Sequence, residues 1–144
     1  MRAVDTNILA RYYLADDAIQ SRMARQVLEV GDIFVPKTVM LELAWVLESV
    51  AEQPAKKVQD CLRHLLALPG VTVEDEDEIH AALELCAAGV DFADALHLCA
   101  SSACAEMLTF DDRFVRRATK AKPKTPVTRP PSREVREKRA RYRV

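Results

Sequence analysis

Arg2-Ala3-Val4-Asp5-Thr6-Asn7-Ile8-Leu9 is a short apolar stretch that ends in a carboxylate and passes at once into residues that cap helices. It reads as a buried strand over residues 2–5, with Thr6 or Asn7 capping a helix that runs to about Leu14. The same unit recurs along the chain. Ile33-Phe34-Val35, closed by Pro36, and Val71-Thr72-Val73 have the apolar, β-branched character of short strands, as does Met107-Leu108-Thr109-Phe110 before Asp111-Asp112. Helical patterns lie between them. Asp16-Asp17 caps a helix with Ile19, Met23, Val27 and Leu28 on one face, stopped at Gly31. Thr38 caps a helix carrying Val39, Leu43, Val46, Leu47 and Val50. Pro54 opens another through about Leu68, before the Pro69-Gly70 turn. Asp75 to Ala88 ends at Gly89, and Asp91 caps a helix through about Ala105. After Asp111-Asp112 a short helical turn and a proline-punctuated segment follow, with an edge strand near 126–128. Short strands alternating with helices predict an α/β fold, a three-layer α/β/α sandwich around a short-stranded, mostly parallel sheet.

At 144 residues the chain is one domain's worth of polymer, read as a body over 1–118 and a basic, proline-containing extension over 119–144. Its 49% apolar and 30% charged residues are the balance of a globular protein. Gly31, Gly70 and Gly89 are its only glycines, too few for a dinucleotide loop or a P-loop. The longest uncharged run, Ala95 to Ala105, is too short to span a bilayer, and Asp5 interrupts any leader-like stretch. The expectation is a cytoplasmic protein without membrane contact. Cys61, Cys86, Cys99 and Cys104 form no C-x-x-C pair and read as reduced apolar residues, and no zinc spacing involves His64, His80 or His97.

The net charge of −1 conceals two unlike parts. Residues 1–115 hold 9 Lys and Arg against 20 Asp and Glu, net −11, whereas residues 116–144 hold 12 against 2, net +10. The acidic body repels a polyanion and the basic end attracts one. Four acids stand where such a fold gathers function, outside the carboxyl ends of the strands. Asp5 ends the first strand and Asp111 follows the fourth. Glu42 interrupts an apolar helical stripe, and Asp94 lies in a first turn among Phe92, Ala95, Leu98 and Cys99. Acids in core-facing slots need a cation. With few lysines and arginines nearby, these carboxylates suit a hard divalent ion, Mg²⁺ or Mn²⁺. Such an ion activates water and polarises a phosphoryl oxygen, the chemistry of phosphodiester hydrolysis. Taken singly, each acid also has a structural reading: Asp5 as a cap, Glu42 paired with Lys37 or Arg11, Asp111 as a turn residue.

Four blocks carry a resemblance: Val4-Asp5-Thr6-Asn7, Val39-Met40-Leu41-Glu42-Leu43, Asp91-Phe92-Ala93-Asp94-Ala95-Leu96-His97-Leu98 and Leu108-Thr109-Phe110-Asp111-Asp112-Arg113-Phe114. In this order they resemble the PIN-domain nucleases, specifically toxins of the VapC type. The resemblance implies Asp5, Glu42, Asp94 and Asp111 as the catalytic and metal-binding acids, with Asp112 the understudy of Asp111. It makes Asn7 and Thr109 residues that orient acids and water. Asp91 matches a helix-opening acid and reads as a cap. The implied activity is Mg²⁺-dependent endoribonuclease cleavage of RNA. The implied partners are a cognate antitoxin wrapping the early helices and a second copy of the toxin in a homodimer. The basic segment from Arg129 to Val144 departs from the family pattern.

Other features have plainer readings. Glu74-Asp75-Glu76-Asp77-Glu78 lacks a calcium loop's glycine and suits a helix N-terminus. His97, one turn after Asp94, reads as a helix-face histidine. Trp45, Tyr12 and Tyr13 suit a partner surface or core packing. Arg113 beside the acids, and Arg133, Arg136 and Arg139 in the tail, are candidate RNA contacts, although Arg113 also suits an ion pair with Asp112. Two rival functions stand beside the nuclease. One is a catalytically silent interaction domain; the other is an aspartyl phosphatase, which would want a second acid where this chain has Asn7.

Overall fold

β1 (Arg2–Ala3), β2 (Ile33–Val35) and β3 (Val71–Val73) form a parallel sheet in that order in the computed structural model of the chain, which describes residues 1–131. Arg2 pairs with Ile33, and Ile33 with Val71. Successive strands are joined through helices: α1 (Thr6–Leu14) and α2 (Ala18–Val30) lead from β1 to β2, and α3 (Lys37–Trp45) and α4 (Ala55–Ala67) from β2 to β3. Parallel pairing requires such crossovers, so the α/β class follows from the alternation of elements. The chain divides into two compact units, Met1–Glu84 and Leu85–Val144, with α5 (Glu76–Ala87) running across the division. In the second unit, α6 (Phe92–Ala100) and α7 (Asp112–Ala121) accompany a second parallel pair, β4 (Met107–Leu108) and β5 (Val127–Thr128). The strands thus form two parallel sheets where a single one is expected. No helix among the described residues is long and apolar enough to cross a membrane.

The first unit closes around Leu9, Ile33, Met40, Leu43, Leu47, Leu62 and Leu65, all essentially fully buried. Gly31 and Gly70 stand just ahead of β2 and β3 at φ +77 and +75, a conformation that only glycine adopts without strain. A Cβ on Gly70 would lie 2.9 Å from the Gly31 Cα, so the two backbones touch where a side chain cannot fit. Tyr13 Oη lies 2.9 Å from His64 Nδ1, joining α1 to α4, and Tyr12 stacks on the same imidazole. Tyr12 and Tyr13 are therefore half-buried packing residues, while Trp45 is exposed.

Several helices differ from their sequence reading. α1 is capped by Asp5, whose Oδ1 accepts from the Ile8 N–H at 3.3 Å, and not by Thr6 or Asn7. α2 buries Ser21, Ala24 and Leu28 and leaves Ile19 and Met23 exposed. Its small residues let α1 approach, and the Ser21 hydroxyl donates to the Arg11 carbonyl at 2.9 Å. α3 begins at Lys37 with no side-chain cap, and Val46–Val50 continues it as a π-helical turn. α6 stops at Ala100, because Ser101-Ser102 favour turns over helix. The short turn expected after Asp112 is a ten-residue helix, α7.

Candidate active site

In the first unit Asp5 caps α1 and Glu42 lies on α3, helices that pack on each other. Asp5 is exposed, spends Oδ1 on its cap, and borders an open cleft of about 430 Å³ with Arg2, Val4, Ile8 and Val27. The adjacent Thr6 hydroxyl is buried with no hydrogen-bond partner among the described residues. Asn7 is exposed on the first turn. Glu42 is exposed, which corrects the expectation of a core-facing acid. The buried face of this helical segment is Met40, Leu43, Ala44 and Leu47. At 3.6 residues per turn, Glu42 lies about 150° round from its centre. Neither expected partner neutralises Glu42. Arg11 pairs with Asp16 at 2.7 Å. Lys37 Nζ binds Asp75 at 2.7 Å and Glu78 at 2.8 Å, which raises its pKa, and its backbone N–H donates to Glu74 at 3.1 Å. The acidic run thus holds a lysine, with Glu76, Asp77 and Glu78 in the first turn of α5.

In the second unit one acid feels the charge of two others. Asp94, on the first turn of α6, is half-buried, and burial pushes its carboxyl above the ordinary carboxylate range. The neighbouring Asp91 and Asp111 carboxylates push it further up, while His97 and Arg117 pull it down. His97 is thus close enough to be felt by this acid. Asp91 stands at the N-cap of α6 as expected, but its side chain makes no capping bond; its Oδ1 pairs instead with Arg117 Nη1 at 3.3 Å. Arg117 itself escapes the sequence reading, in which the helix that presents it is a single turn. Its place at i+4 from Arg113, beside the Phe114–Ala118 apolar pair, is the signal that would have found it.

Asp111 caps α7, its Oδ1 accepting from the N–H groups of Arg113 at 2.9 Å and Phe114 at 3.2 Å, which leaves Oδ2 outside the cap. The Asp111 N–H donates to Thr109 Oγ1 at 3.0 Å, so Thr109 fixes the turn that aims this acid. Asp112 pairs with Arg129 and not with Arg113. Arg133, Arg136 and Arg139 lie outside the described residues.

Among the described residues no group of three or more His, Cys, Asp or Glu side chains is gathered into a ready-made metal cage. The donor chemistry still fits a hard cation. Mg²⁺ keeps several waters and commonly takes only one or two protein carboxylates together with substrate phosphate. Asp94 and Asp111 are two carboxylates that repel one another, and that repulsion would fall if a cation bound beside them.

A model of the PIN domain matches residues 2–120, and the chain belongs to that family. PIN domains are typically metal-dependent nucleases that bind RNA and are often paired with antitoxins. No curated protein matches the chain.

Proposed function

We propose that this chain is a Mg²⁺-dependent endoribonuclease, the cytoplasmic toxin of a toxin–antitoxin pair, with Mn²⁺ an alternative cofactor. The observation that carries the reading is the half-buried Asp94 carboxyl, crowded by Asp91 and Asp111 in a chain of the PIN family. Carboxyls whose pKa is raised by burial and by neighbouring acids cluster at functional sites. Asp94 and Asp111, in the second unit, are the acids assigned to hold the cation, and Asp5 and Glu42, in the first, are the further acids that the resemblance implies. When bound, the cation supplies Lewis acidity toward the phosphoryl oxygen and screens the RNA backbone from the acidic body. Asp111 keeps Oδ2 for this work while Oδ1 holds α7 in place, and Thr109 fixes the turn. Arg117 neutralises Asp91 and so limits the competing negative charge beside Asp94. Water adds across one P–O bond of the phosphodiester, leaving a phosphomonoester on one fragment and a hydroxyl on the other.

The family match ends at residue 120, inside α7, while β5 still pairs with β4, so the part of the basic extension that would tether RNA is the stretch beyond β5. An antitoxin docking on the early helices finds apolar side chains already exposed there: Ile19 and Met23 on α2 and Trp45 on α3. A homodimer is the proposed assembly. The deciding experiment incubates the purified chain with total RNA and Mg²⁺, beside Asp94→Asn and an EDTA control. Fragments that need both the metal and Asp94 support the reading; fragments indifferent to both overturn it. Growth arrest in a bacterial host that is lost in Asp5→Asn would support the toxin role.

A further inference from the structure

Phe110 is the large apolar residue least suited to its surroundings. It is 69% exposed, and it directly precedes Asp111, the N-cap of α7. Leu108, two residues earlier at the end of β4, is 44% exposed, so two large apolar side chains stand uncovered within three residues of one another. Exposing a phenyl ring forfeits the stabilisation that burial would bring. Beyond it the charge changes sign. Residues 113–129 contain seven Lys and Arg and no Asp or Glu, inside a chain whose first 115 residues are strongly acidic.

α7 sorts these charges. Phe114 and Ala118 are buried, whereas Arg113, Arg116 and Lys120 are exposed and follow one another at helical spacing on one face. Arg117 and Arg129 are committed to Asp91 and Asp112, and no ion pair among the described residues engages Arg113, Arg116 or Lys120. An exposed aromatic ring at the head of a row of uncompensated cations is the pairing that single-stranded nucleic acid recognises. A base stacks on the ring and the backbone follows the positive charge. A duplex offers its bases no such access, because they are already stacked.

We propose that Phe110 and the Arg113–Arg116–Lys120 face of α7 form a platform for single-stranded RNA, with one base stacked on the Phe110 ring. The platform rests on the ribonuclease reading for the identity of its ligand. It would set which nucleotide lies next to the acids, making Phe110 a specificity-determining residue and leaving Asp94 and Asp111 to the chemistry.

The test measures binding of the full chain to fluorescein-labelled twelve-nucleotide single-stranded RNAs, with a hairpin of the same length as control. EDTA is present so that no metal-dependent cleavage intervenes. Base–aromatic stacking is worth enough that Phe110→Leu should weaken single-strand binding about tenfold, while Phe110→Trp retains it. Leucine keeps an apolar side chain at an exposed position, so a merely structural role would not separate the two variants. Arg116→Ala and Lys120→Ala should each lower the slope of log affinity against log salt by about 0.7. Equal affinity of Phe110→Leu and wild type overturns the platform, as does an unchanged salt slope or equal binding of the hairpin. The two readings fail separately. RNA bound through Phe110 but never cut with Mg²⁺ would sink the nuclease and spare the platform. Cutting by wild type and Phe110→Leu alike, at equal affinity, would do the reverse.

Discussion

Arg129 forms an ion pair with the Asp112 carboxylate, and the adjacent Asp111 has no such cation among the described residues. The doublet is therefore unequal: one acid is neutralised, the other caps α7 and keeps an oxygen available. Replacing Asp111 with Asn preserves a good cap, so the fold should survive. Loss of residues that merely support a metal ligand typically costs about 10–100-fold. Cleavage by Asp111→Asn should accordingly fall at least about 100-fold, while Asp112→Asn, which breaks only an exposed pair, stays within about fivefold. Initial rates on one RNA substrate check this, and comparable losses in both variants would refute the assignment.

The raised pKa of Asp94 makes a signed prediction about stability. Burial and the charges of Asp91 and Asp111 disfavour its carboxylate in the folded state. The native chain therefore binds a proton more readily than the unfolded chain at this site, and stability falls as pH rises from the ordinary aspartate value of 3.8 through the folded pKa. Above that window the charged form is a standing cost. Without divalent metal, Asp94→Asn should be more stable than wild type at pH 7, with the gain vanishing at about pH 3. Urea denaturation at the two pH values decides it. A destabilised variant at pH 7 would mean that the carboxylate is already compensated.

Thr6 offers a second stability test. Its hydroxyl is buried without a partner among the described residues, so it carries a desolvation cost and no bond in return. Thr6→Val keeps the shape and should raise unfolding free energy by about 1 kcal/mol, read from urea melts. A decrease of similar size would contradict the geometry.

Removing residues 130–144 takes away six of the ten Lys and Arg of the basic extension, and half of its net charge. RNA binding should weaken, and the salt slope should flatten by about 0.7 for each phosphate of a single strand that the shortened chain no longer neutralises. Filter binding from low to moderate salt measures both, and an unchanged slope would rule out a tether.

The alternation of strands and helices is legible in the sequence, because Pro36, Pro54, Gly31 and Gly70 punctuate it and Asp17 caps α2 as its position suggests. Which face of a helix is buried is less legible. α2 has two apolar stripes, and the side on which α1 lies is decided by the small residues Ser21 and Ala24, not by the larger Ile19 and Met23. Glu42 departs from its expected setting for the same reason, since Val39 and Val46 flank the buried face without defining it. α7 outruns its expected length because three apolar residues, Phe114, Val115 and Ala118, carry a mostly basic helix. Motif spacing singles out Asp94 and Asp111, and Asp111 is among the charges that Asp94 feels. The commitment of Asp91 to Arg117, and of Asp112 to Arg129, depends on side chains 26 and 17 residues apart and leaves no local trace.

Lys37 has one more consequence. It begins the helix that presents Glu42, and both its ammonium and its backbone hold acids that follow β3. Dissolved ions weaken such pairs to the extent that they reach solvent, and the Asp75 and Glu78 carboxylates both do. Concentrated salt will slacken that fastening while the leucine-rich interior stays shut, so the buffer, as much as the polypeptide, governs how firmly the arm that carries this glutamate is braced.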